Sequence, residues 1–137
     1  MSTYVDTSVI VSFFIRDDHA SKARAWAESG ARMVVSDWTA TEFTSALSHQ
    51  VRAGSLSDAE RTRAELAFDR WKSRAVVLEI GRGRFEEARL LMRTHRRLRA
   101  PDALHLAIAI AAGLDLATAD HDMRDAAVAE GLGVVDL

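Results

Sequence analysis

Short β-branched segments alternate with helical ones along the whole chain, and that alternation narrows the possible folds more than any other feature. Tyr4-Val5, RMVVSD (32–37), AVVLEI (75–80), LDLAT (114–118) and Val134-Val135 read as strands. Between them lie segments with helical spacing or helix-end chemistry. Val9 to Ile15 follows the capping residues Asp6-Thr7-Ser8, and HASKARAWAESG (19–30) stops at Gly30. WTATEFTSALSHQVRAG (38–54) and SLSDAERTRAELAFDRWKSR (55–74) predict an antiparallel helical hairpin, the second helix opening with a Ser57–Glu60 capping box. RFEEARLLMRTHRRL (84–98) predicts a charged helix. PDALHLAIAIAAG (101–113) is apolar nearly all round, with Pro101 at a first helical position, and predicts an interior one. MRDAAVAEG (123–131) follows the helix-start residues Asp120-His121-Asp122. Such an order calls for an α/β fold with a mostly parallel central sheet and helices on both faces.

No repeat, low-complexity tract or Pro/Gly/Ser-rich linker interrupts the 137 residues, so residues 1–137 are expected to form a single domain. The absence of cysteine excludes disulfides and thiolate-bound zinc and makes the cytoplasm the expected compartment. The early apolar run Val9–Ile15 is too short for a membrane span, and no basic residue precedes it as in an export signal. The net charge of −2 gives no global sign of nucleic-acid binding. All but two of the basic residues are arginine, however, and Arg93, Arg96, Arg97 and Arg99 cluster in RTHRRLR (93–99).

Carboxylates recur singly at the ends of apolar segments. Asp6 follows the first strand, and Glu42 lies in the first turns of the helix after the second. Asp102 is second in the Pro101 helix, and Asp120 lies just past the fourth strand. In a parallel α/β sheet, ligands bind beyond the carboxyl ends of the strands, so all four can face one edge. Like charges brought together there would take up protons unless a cation neutralised them. An all-oxygen set suits Mg²⁺ or Mn²⁺, which keep several waters and bind phosphates. One or two such ions can orient a phosphodiester, activate a water and stabilise the leaving oxygen.

Four motifs in order, YVDTSV (4–9), the Glu42 of TATEFTSAL (39–47), RAPDALHLAIA (99–109) and LATADHDM (116–123), resemble the PIN-domain ribonucleases, most of all the VapC-type toxins of bacterial toxin–antitoxin pairs. The resemblance covers essentially the whole chain. It implies a three-layer α/β/α fold, endoribonuclease activity dependent on Mg²⁺ or Mn²⁺, products with a 5′-phosphate and a 3′-hydroxyl, and a homodimer. It also implies a small VapB-like antitoxin that inhibits the active site. Position by position, Asp6, Glu42, Asp102 and Asp120 match the acidic quartet, as catalytic and metal-binding residues. Asp122 is a possible addition, and Ser8 matches a hydroxyl that could bond a ligand carboxylate or a substrate phosphate.

Plainer roles stand beside these. Asp6 and Asp120 could be helix caps, and Asp102 could be a first-turn acid complementing the helix dipole. Glu42 has no cation at i+4, where Ala46 stands. His105, three residues after Asp102, could support the site or make one local hydrogen bond in a packed helix. The arginine run reads equally as a solvated helix end or a phosphate track. Phe68 and Trp71 fit the hairpin core or an interface with a second copy or the antitoxin, and one of Phe13 and Phe14 could face a protein partner. A phosphoacceptor receiver domain would need a lysine near the last strand, yet only Lys22 and Lys72 occur. An aspartyl phosphatase would show a second acid where Ser8 stands. A non-catalytic binding module of the same fold is the remaining alternative.

Overall fold

The computed structural model describes residues 2–15 and 20–137; His19, which opens the second expected helix, lies outside the described residues. Among them, five strands and seven helices alternate. β1 (Ser2–Val5), α1 (Thr7–Phe14), α2 (Ala20–Glu28), β2 (Arg32–Ser36), α3 (Asp37–Arg52) and α4 (Asp58–Lys72) form the first half. β3 (Val76–Leu78), α5 (Arg82–Thr94), α6 (Ala100–Ala112), β4 (Asp115–Thr118), α7 (His121–Ala129) and β5 (Val134–Asp136) complete it. The sheet runs β3-β2-β1-β4-β5 with every pairing parallel.

Alternate strand residues feed two cores, as the two-residue period of a strand requires. Tyr4, Val34 and Leu116 point into a layer built by α5, α6 and α7, with Ala88, Leu91, Leu106 and Met123 among its buried members. Val5, Val35 and Ala117 point the other way, against α1 to α4, where Ile10, Phe43, Leu47 and Phe68 are buried. The architecture is therefore the three-layer α/β/α sandwich expected. Gly113, at φ 66°, ends α6 in the left-handed conformation that a Cβ disfavours, and this turns the chain back into β4.

Two expectations need adjusting. The arginine-rich run is not one helix end: α5 stops at Thr94, and the chain turns before Arg99 takes the N-cap position of α6. Phe13 and Phe14, adjacent on the last turn of α1, both pack half-buried against the same core. Among the described residues, no helix is long and apolar enough to cross a membrane.

Candidate active site

Strand order reverses between β1 and β4: the chain runs from β1 outward to β2 and β3 on one side, then returns to place β4 and β5 on the other. A crevice opens at such a switch point because successive crossovers leave in opposite directions. A cleft of about 350 Å³ lies there, lined by Asp6, Thr7, Ser8, Glu42, Arg99, Asp102 and Asp120 together with Val11, Ala46 and Ala119. All four acids of the quartet and Ser8 thus share one cavity. Asp122 does not: it is exposed on α7, 4.0 Å from Arg97, and lines a separate depression with His95 and Asp125.

Asp6 resolves the capping question. Its backbone takes the N-cap position of α1, but its side chain makes no cap bond. Instead Oδ2 accepts from Ser8 Oγ at 2.7 Å and from Thr118 Oγ1 at 3.0 Å. The parallel register sets Val5 beside Ala117, so Asp6 and Thr118 emerge together from neighbouring strands. Thr118 Oγ1 also accepts from the Asp120 backbone N–H at 3.0 Å, which joins the two acids through one hydroxyl. Asp120 does cap: its Oδ1 accepts from Met123 N–H at 2.8 Å, and the second oxygen is left for the cleft.

Glu42 has a hydrogen-bonding partner after all, supplied across the fold. Its Oε1 accepts from Thr7 Oγ1 at 2.9 Å and lies in hydrogen-bond contact with His105 Nε2. The imidazole is completely buried, and its Nδ1 meets the Tyr4 hydroxyl at 2.7 Å, which in turn meets Ser36 Oγ at 2.8 Å. With a neutral imidazole, a single proton assignment satisfies the whole chain. A carboxylate only accepts, so Nε2 carries the hydrogen, Nδ1 accepts from the Tyr4 hydroxyl, and the phenol oxygen accepts from Ser36. Burial pushes the Tyr4 phenol well above its ordinary pKa, which keeps that hydroxyl a donor. Asp6 Oδ1 lies 3.9 Å from the same Nε2. His105 is thus the hidden support of Glu42 rather than a local packing residue.

Asp102 shows the electrostatic state of the cleft. Burial, then the charges of Asp6 and Asp120, raise its carboxyl to about 6, while Arg99 at 3.6 Å pulls the other way. Among the described residues, no group of three or more His, Asp or Glu side chains is arranged to hold a metal ion. Each carboxylate except Asp102 is instead tied by its own hydroxyl, imidazole or backbone donor. The donor chemistry still fits a hard divalent cation. Mg²⁺ is commonly held by one or two carboxylates plus waters, and a surplus of negative charge sits where it would bind. Thr7, Thr118 and His105 were not singled out as site residues by sequence. A polar tip inside an apolar strand or helix, which must find a partner, was the only available sign.

No curated protein matches the chain by sequence. Solved structures do match in fold. VapC20 of Mycobacterium tuberculosis, described as a toxin cleaving the sarcin-ricin loop, is 20% identical with a TM-score of 0.73, covering 99% of this chain and 100% of its own. VapBC2 of Rickettsia felis, bound to a DNA fragment from its promoter, is 13% identical with a TM-score of 0.72, covering 100% and 99%. A toxin–antitoxin complex from Klebsiella pneumoniae is 21% identical with a TM-score of 0.68, covering 98% and 96%. The PIN domain model matches residues 3–129. A switch-point cleft with four acids from four segments is what that match spans, and the chain belongs to the PIN domain family.

Proposed function

We propose that the protein is a Mg²⁺- or Mn²⁺-dependent endoribonuclease and the toxin half of a VapBC-type pair, with Asp6, Glu42, Asp102 and Asp120 as its catalytic and metal-holding carboxylates. The observation that carries this reading is their shared cleft, in which burial and, after it, neighbouring charge raise the Asp102 carboxyl to about 6. Toxins and toxin–antitoxin complexes among the fold relatives support it. Asp6 and Asp102 are the principal ligands, Asp120 completes the site, and Glu42 acts directly or through water. A bound divalent ion supplies an activated water near neutral pH and positive charge for the leaving oxygen.

The protein's own residues do the positioning. Ser8 and Thr118 fix one oxygen of Asp6, which lines the cleft. Thr7 and His105 hold Glu42, which would otherwise swing freely on a long side chain. A small antitoxin occluding this cleft, a homodimer and a cytoplasmic location belong to the same reading.

Cleavage of structured RNA in Mn²⁺, compared between the parent and Asp6→Asn, tests it. The parent is expected to cut, and Asp6→Asn to lose about 100-fold or more, the scale of removing one preorganised charge-stabilising group. Equal cleavage by both proteins would mean a contaminant or another site. No cleavage by either would favour the binding module.

A further inference from the structure

A second cleft, of about 630 Å³, continues from the acidic one and shares Glu42, Ala46, Arg99 and Asp102 with it. Its remaining walls are Ser45, His49, Gln50 and Arg52 from α3 and Pro101 at the start of α6. Glu42, Ala46, His49 and Arg52 recur at three- and four-residue steps, so a single face of α3 runs from the acidic site outward. Charge inverts along that face. The inner end carries Asp6, Asp102, Asp120 and Glu42; the outer end carries His49 and Arg52 and adds no carboxylate.

We infer that this outer cleft is the track for phosphates flanking the scissile one in a single-stranded RNA, with Arg52 as its main contact. The inference rests on the nuclease reading and adds a direction to it. An acidic pocket repels a polyanion, so approach requires cations along one side. Among the described residues, Ser8, Val11, Ala119 and Asp120, which line the acidic cleft but not the outer one, provide none. Arg99, which lines both clefts, lies 3.6 Å from Asp102 and adds a second cation at the junction, whereas Arg97 lies 4.0 Å from Asp122 outside both clefts. Among the described residues, Arg52 and His49 make no ion pair and are exposed. The macrodipole of α3 favours a cation in its last turn, but a cation there needed no cavity leading to four acids. Gln50 adds a donor and an acceptor for a ribose or base edge, contacts that an unpaired strand offers and a duplex hides.

The test is fluorescence anisotropy of a labelled single-stranded oligoribonucleotide of mixed sequence with the full chain in EDTA, where cleavage does not intervene. Arg52→Ala is expected to weaken binding about five- to tenfold and to reduce the salt slope by about 0.7, one phosphate contact on a single strand. Arg52→Lys should restore the slope, while Arg24→Ala, which removes the same charge from α2, should change neither quantity. With Mn²⁺ present, Arg52→Ala should raise KM and leave kcat in place. An unchanged slope, an equal loss in Arg24→Ala, or no RNA binding by the parent overturns the track. Arg52-dependent binding without cleavage would sink the nuclease reading and keep the track. Cleavage whose KM ignores Arg52 would do the reverse.

Discussion

Beneath the α3–α4 hairpin and beneath the acidic cleft, side chains are buried about equally well, but by opposite means. Under the hairpin the contacts are rings. Phe43 and Phe68 stack with centroids 4.2 Å apart, Phe14 meets both edge-on at 5.7 and 5.9 Å, and Trp71 lies 6.0 Å from Phe68. Under the cleft the contacts are hydrogen bonds running Ser36–Tyr4–His105–Glu42, with Thr7 joining at the end. Apolar packing is non-directional and tolerates small shifts, whereas a hydrogen-bonded chain fixes the orientation of its last member. The rings hold the fold together; the polar chain sets where the Glu42 carboxylate points.

That division breaks most readily at Phe68. Phe68→Ala should cost about 3–5 kcal/mol, as large-to-small changes in closed aromatic cores do, and lower the melting temperature by about 10 °C or more. Cleavage per folded molecule, measured well below the transition, should stay within about twofold of the parent. A large loss of activity in protein that is still folded would show that the aromatic layer also shapes the site.

His105→Leu tests the other side. The Tyr4 hydroxyl loses its acceptor and Thr7 a neighbour, a cost of about 1–3 kcal/mol for buried groups left unpaired. Activity should fall further than stability suggests, by about 10- to 100-fold, because Glu42 loses its orienting donor. His105→Gln, which can return an N–H toward Glu42, should recover part of kcat. Leucine and glutamine variants with the same kcat would reduce His105 to packing.

Legibility in the sequence divides along the same line. Apolar periodicity carried the sheet and the helical hairpin, and the Ser-x-x-Glu spacing carried the Ser57–Glu60 capping box, which forms with bonds of 3.1 Å in both directions. Strand-end placement carried the shared cleft of Asp6, Glu42, Asp102 and Asp120. What escaped was everything decided by pairing across the fold. His105 and Tyr4 are 101 residues apart, and nothing local tells a histidine on an apolar helix that a tyrosine from β1 will reach its ring. Asp6 and Asp120 look alike as helix-start acids, yet only Asp120 caps. The difference comes from Thr118, whose hydroxyl reaches Asp6 only once β1 and β4 pair. Arg52 carried no local sign at all, since a basic residue in a last helical turn is ordinary.

The smallest expected effect is also the one with a sign opposite to ordinary mutational damage. Asp102 belongs to neither the rings nor the chain; it is the acid whose carboxyl is raised to about 6 from 3.8, by burial first and by Asp6 and Asp120 next. In the folded protein it therefore holds its proton more tightly than in the unfolded chain. Below about pH 4 the group is protonated in both states, and that contribution to stability is fully present. As pH rises through about 6 it is lost, because the folded state must then carry the charge that the unfolded state already carries freely. Asp102→Asn should thus match the parent at pH 4 and exceed it at pH 7.5 by about 1–2 kcal/mol, the shift being discounted for partial exposure. In thermal denaturation without divalent ions that is about 4–8 °C. Adding Mg²⁺ at pH 7.5 should narrow the gap by stabilising the parent alone, since an ion bound to the native state stabilises it by mass action and asparagine offers no charge to hold it. Equal melting temperatures at pH 7.5 would mean that Asp102 does not feel its neighbours. A gap that Mg²⁺ leaves untouched would remove Asp102 from the proposed metal-holding residues while leaving the crowding of charge in place.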